Sequence, residues 1–151
     1  MASALYESVI VIAVVFLATL AFPGAASGRL SEWGRYALAA YVAIILGGYF
    51  VWFWTRGQTL AMRAWRLQLV DQSGAYLTWQ RALYRYVVTL ALIAPGLFAI
   101  GWWREHRESS VALFLMAVSV AAFGWPLWDQ QRRALHDLIA GTRLVQLIQR
   151  R

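Results

Sequence analysis

No cysteine occurs in this chain of 151 residues, and all 14 of its basic residues are arginine. The first absence excludes disulfides, cysteine-ligated zinc and thiol catalysis together. Carboxylates are scarce too: seven Asp and Glu leave a net charge of +7. Charge of either sign is missing altogether from four stretches, 8–28, 36–55, 86–103 and 109–128, each of 18 to 21 residues. A hydrocarbon core about 30 Å thick needs roughly 20 apolar residues of α-helix. The pattern therefore predicts an all-α membrane protein, a bundle of four transmembrane helices over about 5–24, 36–55, 80–103 and 109–128.

What is present agrees. At 61% hydrophobic and 14% charged, the chain has too little polar surface to cover a soluble globule of this length. No basic residue precedes the first apolar run, as a cleavable signal requires, so that run is expected to be a retained helix. Ten arginines fall between the second and third uncharged stretches, 56–85, and in the tail 129–151, against four in the other two connections, which places both termini and the central loop in the cytoplasm. Nine Trp and seven Tyr supply interfacial anchors: Trp33, Tyr36, Trp102 and Trp103 at the outer boundary, and Trp52, Trp54, Trp125 and Trp128 at the inner one. The basic residues are spread over two segments without a reading motif, so the charge is a topology signal and nucleic acid is not an expected partner.

The informative polar sequence lies in the loop and the tail. From Gly57 a short helical segment is expected to run through Met62; Trp65, Leu67 and Leu69 then alternate with Arg66 and Gln68, a period-two strand pattern that closes at Asp71-Gln-Ser-Gly74. In the tail, a short helix is expected from near Ala134 with Gly141 as its terminating glycine, followed by a β-prone run. We expect Trp65 to Val70 to pair with Thr142 to Leu147 as a two-strand ribbon, because a lone strand leaves its edge open. Thr78 is a suitable N-cap for the third long helix, and Arg81 and Arg85, four apart, then share one face. Their anionic partner is expected among Asp71, Asp129, Asp137 and lipid phosphate.

Gly57-Gln58-Thr59 with Met62-Arg63, the Trp65-Arg66-Leu67 run, Asp71 and Gly74, the Arg81 and Arg85 pair, and above all His136-Asp137-Leu-Ile-Ala-Gly141-Thr142 resemble the RDD family of bacterial membrane proteins, in order and spacing over nearly the whole chain. The family takes its name from one Arg and two Asp. Here the chain begins MASALYESV with no Arg before the first span; Glu7 stands where the family has its first Asp, and Asp137 corresponds to the second. The resemblance implies a multi-pass protein of the bacterial inner membrane and a part in solute or ion transport, with a proton or monovalent cation as the ligand to expect; the small surfaces at Ala39-Ala40 and Gly47-Gly48 suit close helix packing and a homo-oligomer.

Each polar candidate has two readings. Glu7 is either an inward-facing transport group or an interfacial residue near the positive end of its helix dipole. His136-Asp137 is either a proton-titrating or ligand-binding pair, or a structural one in which Asp137 meets Arg81 or Arg85. A metal at His136 with Asp129 and Asp137 is not expected, because His106, the other histidine, falls on the opposite face. No phosphate-binding glycine loop, HExxH or nucleophile signature is present, so neither a cofactor nor an enzymatic activity is expected. Two function classes stay open: a transporter of cations, protons or small solutes, and an accessory module whose Arg-rich cytoplasmic face binds anionic lipid headgroups or a partner protein.

Overall fold

The computed structural model describes residues 2–28, 30–105, 110–128 and 134–146. They are mostly helical: α1 (Ala2–Ala21), α2 (Glu32–Thr55), α3 (Leu60–Ala64), α4 (Trp79–Glu105), α5 (Ser110–Trp128) and α6 (Leu135–Ala140), with β1 (Leu67–Asp71) and β2 (Thr142–Gln146) forming a two-stranded sheet. The helical stretches Glu32–Ala64 and Trp79–Trp103 are long and apolar enough to cross a membrane; Leu5–Ala21 and Ser110–Ala122 are apolar but shorter. Contacts divide the chain into two compact units, Met1–Leu69 with Tyr76–Trp79 and Leu144–Arg151, and Val70–Ala75 with Gln80–Arg143.

In the first unit α1 packs against α2 and α3. Helix α1 stops at Ala21, three residues before the expected limit, because Pro23-Gly24 turns the chain into a short 3-10 segment, Ala25–Ser27. Helix α2 begins one turn earlier than the uncharged stretch: Ser31 caps it by accepting from the Gly34 amide at 3.1 Å, and Glu32 and Arg35 pair across the first turn. Trp54 departs from its expected anchoring role. It is 5% exposed and packs on Phe50 at 5.0 Å between ring centroids, whereas Trp33, Tyr36, Trp52, Trp102, Trp103 and Trp125 are exposed. The side chain of Trp128 lies outside the described residues.

The junction after α2 depends on Gly57. Its φ of 79° is left-handed, its carbonyl accepts from the Leu69 amide at 2.7 Å, and a Cβ there would lie 2.5 Å from the Tyr76 ring. Thr59 caps α3 through the Met62 amide at 3.2 Å, so the short helix starts later than expected and runs to Ala64. Trp65 closes that helix and Arg66 takes φ 52°, which removes both from the strand. Strand β1 therefore begins at Leu67. Its buried residues run consecutively from Leu69 through Asp71 and do not alternate. The expected partner run is found from Thr142 to Gln146, Leu147 lying outside the described residues.

In the second unit Asp71-Gln72-Ser73-Gly74 makes the tight turn, with the Gly74 amide on the Asp71 carbonyl at 3.1 Å and the Asp71 amide on the Ala75 carbonyl at 2.9 Å. Helix α4 starts directly after Thr78 and runs unbroken through Pro95. Its Gly96 packs against Ser119 of α5, whose hydroxyl donates to the Leu92 carbonyl at 3.3 Å. Helix α6 ends at Gly141 in the left-handed conformation, φ 63°, with the Gly141 amide on the carbonyls of Asp137 and Leu138.

Substituting G57A is expected to lower stability in detergent by about 1–2 kcal/mol, since an L residue at this φ is strained even after Tyr76 moves aside. G48A, where a Cβ meets nothing within 4 Å, serves as the control. Thermal unfolding of both variants checks the contrast, and equal melting points would remove Gly57's conformational role.

Candidate functional site

Two carboxylate centres emerge, one in each unit. The first is built on Glu7 of α1, half-buried five residues from the start of its helix. Tyr49 Oη donates to Glu7 Oε1 at 3.1 Å, and Thr59 Oγ1 donates to Oε2. Tyr49 lies six residues before the end of α2, about 9 Å along the axis. Thr59 is fully buried and its hydroxyl works in both directions, accepting from the Met62 amide while donating to Glu7. Of the Gly57-Gln58-Thr59 motif, then, glycine makes the turn and threonine joins α3 to α1. Gln58 is half-buried.

The second centre joins α4, α6 and the start of β2. Arg85 and Asp137 form an ion pair with side chains only 3% and 6% exposed, and the same oxygen, Asp137 Oδ1, accepts from Thr142 Oγ1 at 3.1 Å. His136 Nε2 lies 3.7 Å from that oxygen. Burial pulls the His136 imidazole below its ordinary value near 6.5, Arg85 adds to the effect, and Asp137 opposes it. His136 is consequently neutral in the fold at neutral pH. An unfolded chain binds a proton there more readily, so stability declines as pH falls below about 6.5 and stops declining only below the folded value.

Arg81, a turn before Arg85, meets a different acid. Its Nη1 is 2.7 Å from Asp71 Oδ2, while Asp71 Oδ1 accepts from the Ser73 hydroxyl at 2.6 Å and the Ala75 amide at 3.0 Å. These contacts hold the Asp71 carboxyl below the usual range. The Ser73 hydroxyl contributes most, burial opposes it, and the Ala75 and Ser73 amides and Arg81 assist. An open cleft of about 450 Å³ lies beside this turn, lined by Asp71, Gln72, Ser73, Arg81 and Leu138 to Gly141. Both Asp71 oxygens are already engaged, so the cleft offers a ligand little of that carboxylate.

The structure thus assigns one acid to each arginine, a pairing that the sequence left open among four partners. Asp129 and His106 lie outside the described residues, and among the described residues no cluster of three metal-ligating groups occurs. Tyr49 is the site residue that sequence reasoning missed, with Thr59 recognised only as part of a motif. A phenol on an apolar span is a signal for Tyr49; its partner, 42 residues away, carries none.

Among known protein families, the model described as the RDD family matches residues 1–141. No curated protein and no solved structure matches. Together with the apolar helices, the family match makes this a membrane protein.

D137N, which keeps the shape of the side chain but leaves Arg85 buried without its counter-charge, is expected to cost about 3 kcal/mol, and T142A about 1 kcal/mol. Thermal unfolding in detergent ranks the two, and an unchanged melting point in D137N removes the pair's structural role. For Asp71 the folded value is depressed. Its contribution is complete above the unfolded value near 3.9 and is lost as pH falls through the lower folded one. A circular dichroism titration downward from about pH 5 should show an acid step in the wild type that D71N lacks.

Proposed function

Because the chain belongs to the RDD family, we propose that it is a four-span protein of the bacterial inner membrane with both termini in the cytoplasm, and that it exchanges protons for monovalent cations through Glu7. Four spans are supported by helix lengths: α1 and α5 have 20 and 19 residues, about 30 Å and 28 Å of rise, beside the longer α2 and α4. Orientation rests on the arginine excess in the loop and tail. The reading is of a transport protein and not an enzyme.

The observation that carries the transport reading is the company Glu7 keeps. Among the described carboxylates Glu32, Asp71 and Asp137 each face an arginine, while Glu7 faces two neutral hydroxyls. An arginine neutralises its acid permanently, and such a pair serves structure. Hydroxyl donors orient a carboxylate without cancelling its charge, which leaves it able to take a proton or a cation in turn. A carboxylate at the middle of a span costs about 3 kcal/mol or more; Glu7, near the start of α1 and met by two hydroxyls, carries a smaller penalty, which lets a ligand be taken up and released. In this scheme Tyr49 and Thr59 are positioning residues.

A second reading, binding of anionic lipid headgroups by the cytoplasmic face, is favoured by the stretch 52–66. There Arg56, Arg63 and Arg66 are exposed with Trp52, Leu60 and Trp65, the Arg56 guanidinium lies 3.7 Å from the Trp52 ring centroid, and no carboxylate occurs. A homo-oligomer is compatible with either reading.

Proteoliposomes loaded with a pH-sensitive dye and pulsed with Na⁺, K⁺ and Li⁺ discriminate between them. Cation-dependent proton movement is expected in the wild type, absent in E7Q and in empty liposomes, and reduced several-fold in Y49F. Full flux in E7Q overturns the role of Glu7, and no flux from folded wild-type protein transfers the assignment to the lipid-binding reading.

A further inference from the structure

A six-residue helix does not hold itself together in water, and α6 has six residues, with Ala134 at its N-cap making no side-chain bond. Within its unit, α6 is fixed by what Asp137 does. One oxygen of that carboxylate takes the Arg85 guanidinium from α4 and the Thr142 hydroxyl from β2, and it sits 3.7 Å from His136 Nε2. We propose that His136 makes this an acid-released latch: protonating His136 frees α6 and Thr142 from their anchor on Arg85.

The charge count explains the direction. At neutral pH the site holds one guanidinium and one carboxylate and is balanced. A proton on His136 adds a second cation to a buried carboxylate already spent on the first. Among the described residues the charges acting on His136 are those of Asp137 on its own helix and Arg85 on α4; β2 contributes the neutral Thr142 hydroxyl, and α5, packed against α6, carries no ionisable residue from Ser110 to Trp128. Among the described residues no second carboxylate acts on His136 to take up the new charge. His136 is 21% exposed, whereas Arg85 is 3% exposed. The histidine is therefore the member that gains most by swinging into water. Asp137 is its neighbour in the chain, so that movement draws the carboxylate away from Arg85.

The latch depends on neither the transport reading nor the membrane orientation, and its failure leaves both standing. It gives the C-terminal segment two states set by the pH on its own side of the membrane. Hydrogen exchange followed by mass spectrometry on the full-length protein in detergent, over peptides covering Leu135 to Gln146 and corrected for intrinsic exchange rates, tests it between pH 7.5 and 5. Protection is expected to fall about tenfold for each unit by which the folded value lies below the unfolded one, and H136N is expected to hold its protection flat across the range. An equal acid loss in H136N, or no loss in the wild type, overturns the latch. Should H136N fold poorly, the imidazole resonance of His136 in an H106N background decides: titration at or above 6.5 overturns the proposal, and titration below 6.5 accompanied by loss of the Leu135 to Gln146 protection supports it.

Discussion

A guanidinium out of reach of water is tolerable only opposite an anion, and Arg85 sets that condition for everything around it. It stands on the second turn of α4, 3% exposed, and the carboxylate that answers it arrives from Asp137, 52 residues later. Removing either partner strands a buried charge at a cost of several kcal/mol. The tail is therefore bound to return to α4, and the short helix α6 and the first residue of β2 are placed by that return. Gly141 permits it locally, because the left-handed turn at φ 63° swings Thr142 back to the same carboxylate oxygen.

The other unit solves a related problem without a cation. Glu7 belongs to an apolar helix, and its two oxygens are met by a phenol from α2 and a hydroxyl from the cap of α3. Thr59 can serve there because Gly57 turns the chain sharply enough to bring the cap beneath α1. One hydroxyl thus closes a helix N-terminus and anchors a carboxylate, two tasks usually divided between residues. The two centres differ in kind: Asp137 is met by a guanidinium, whereas Glu7 is met by neutral hydroxyls.

Much of this architecture was legible wherever the signal was local. The expected spans located the long helices to within about four residues, Thr78 preceded α4, and Gly141 ended α6 as its position after an apolar run implied. The β1–β2 ribbon was legible because each of two β-prone runs leaves an open edge that needs a partner. Errors came where a special backbone conformation intervened. Arg66 at φ 52° delayed β1 by two residues, and Pro23-Gly24 shortened α1. Trp54 looked like any interfacial tryptophan, yet it faces inward against Phe50, a matter of helix phase that composition does not carry. Nor does spacing say which acid meets which arginine. Arg81 and Arg85 share a helix face, yet one partner lies in the turn ten residues before and the other in the tail.

Substituting Glu for Asp at position 7 also has a geometric consequence. A longer side chain reaches farther from its helix by one methylene, and both donors that meet it come from other segments, α2 and the α3 cap. The carboxylate is thereby held away from its own backbone, where a shorter Asp would sit closer to the α1 turn. The first carboxylate is thus met by hydroxyls from two other segments, where Asp71 and Asp137 are met by arginines.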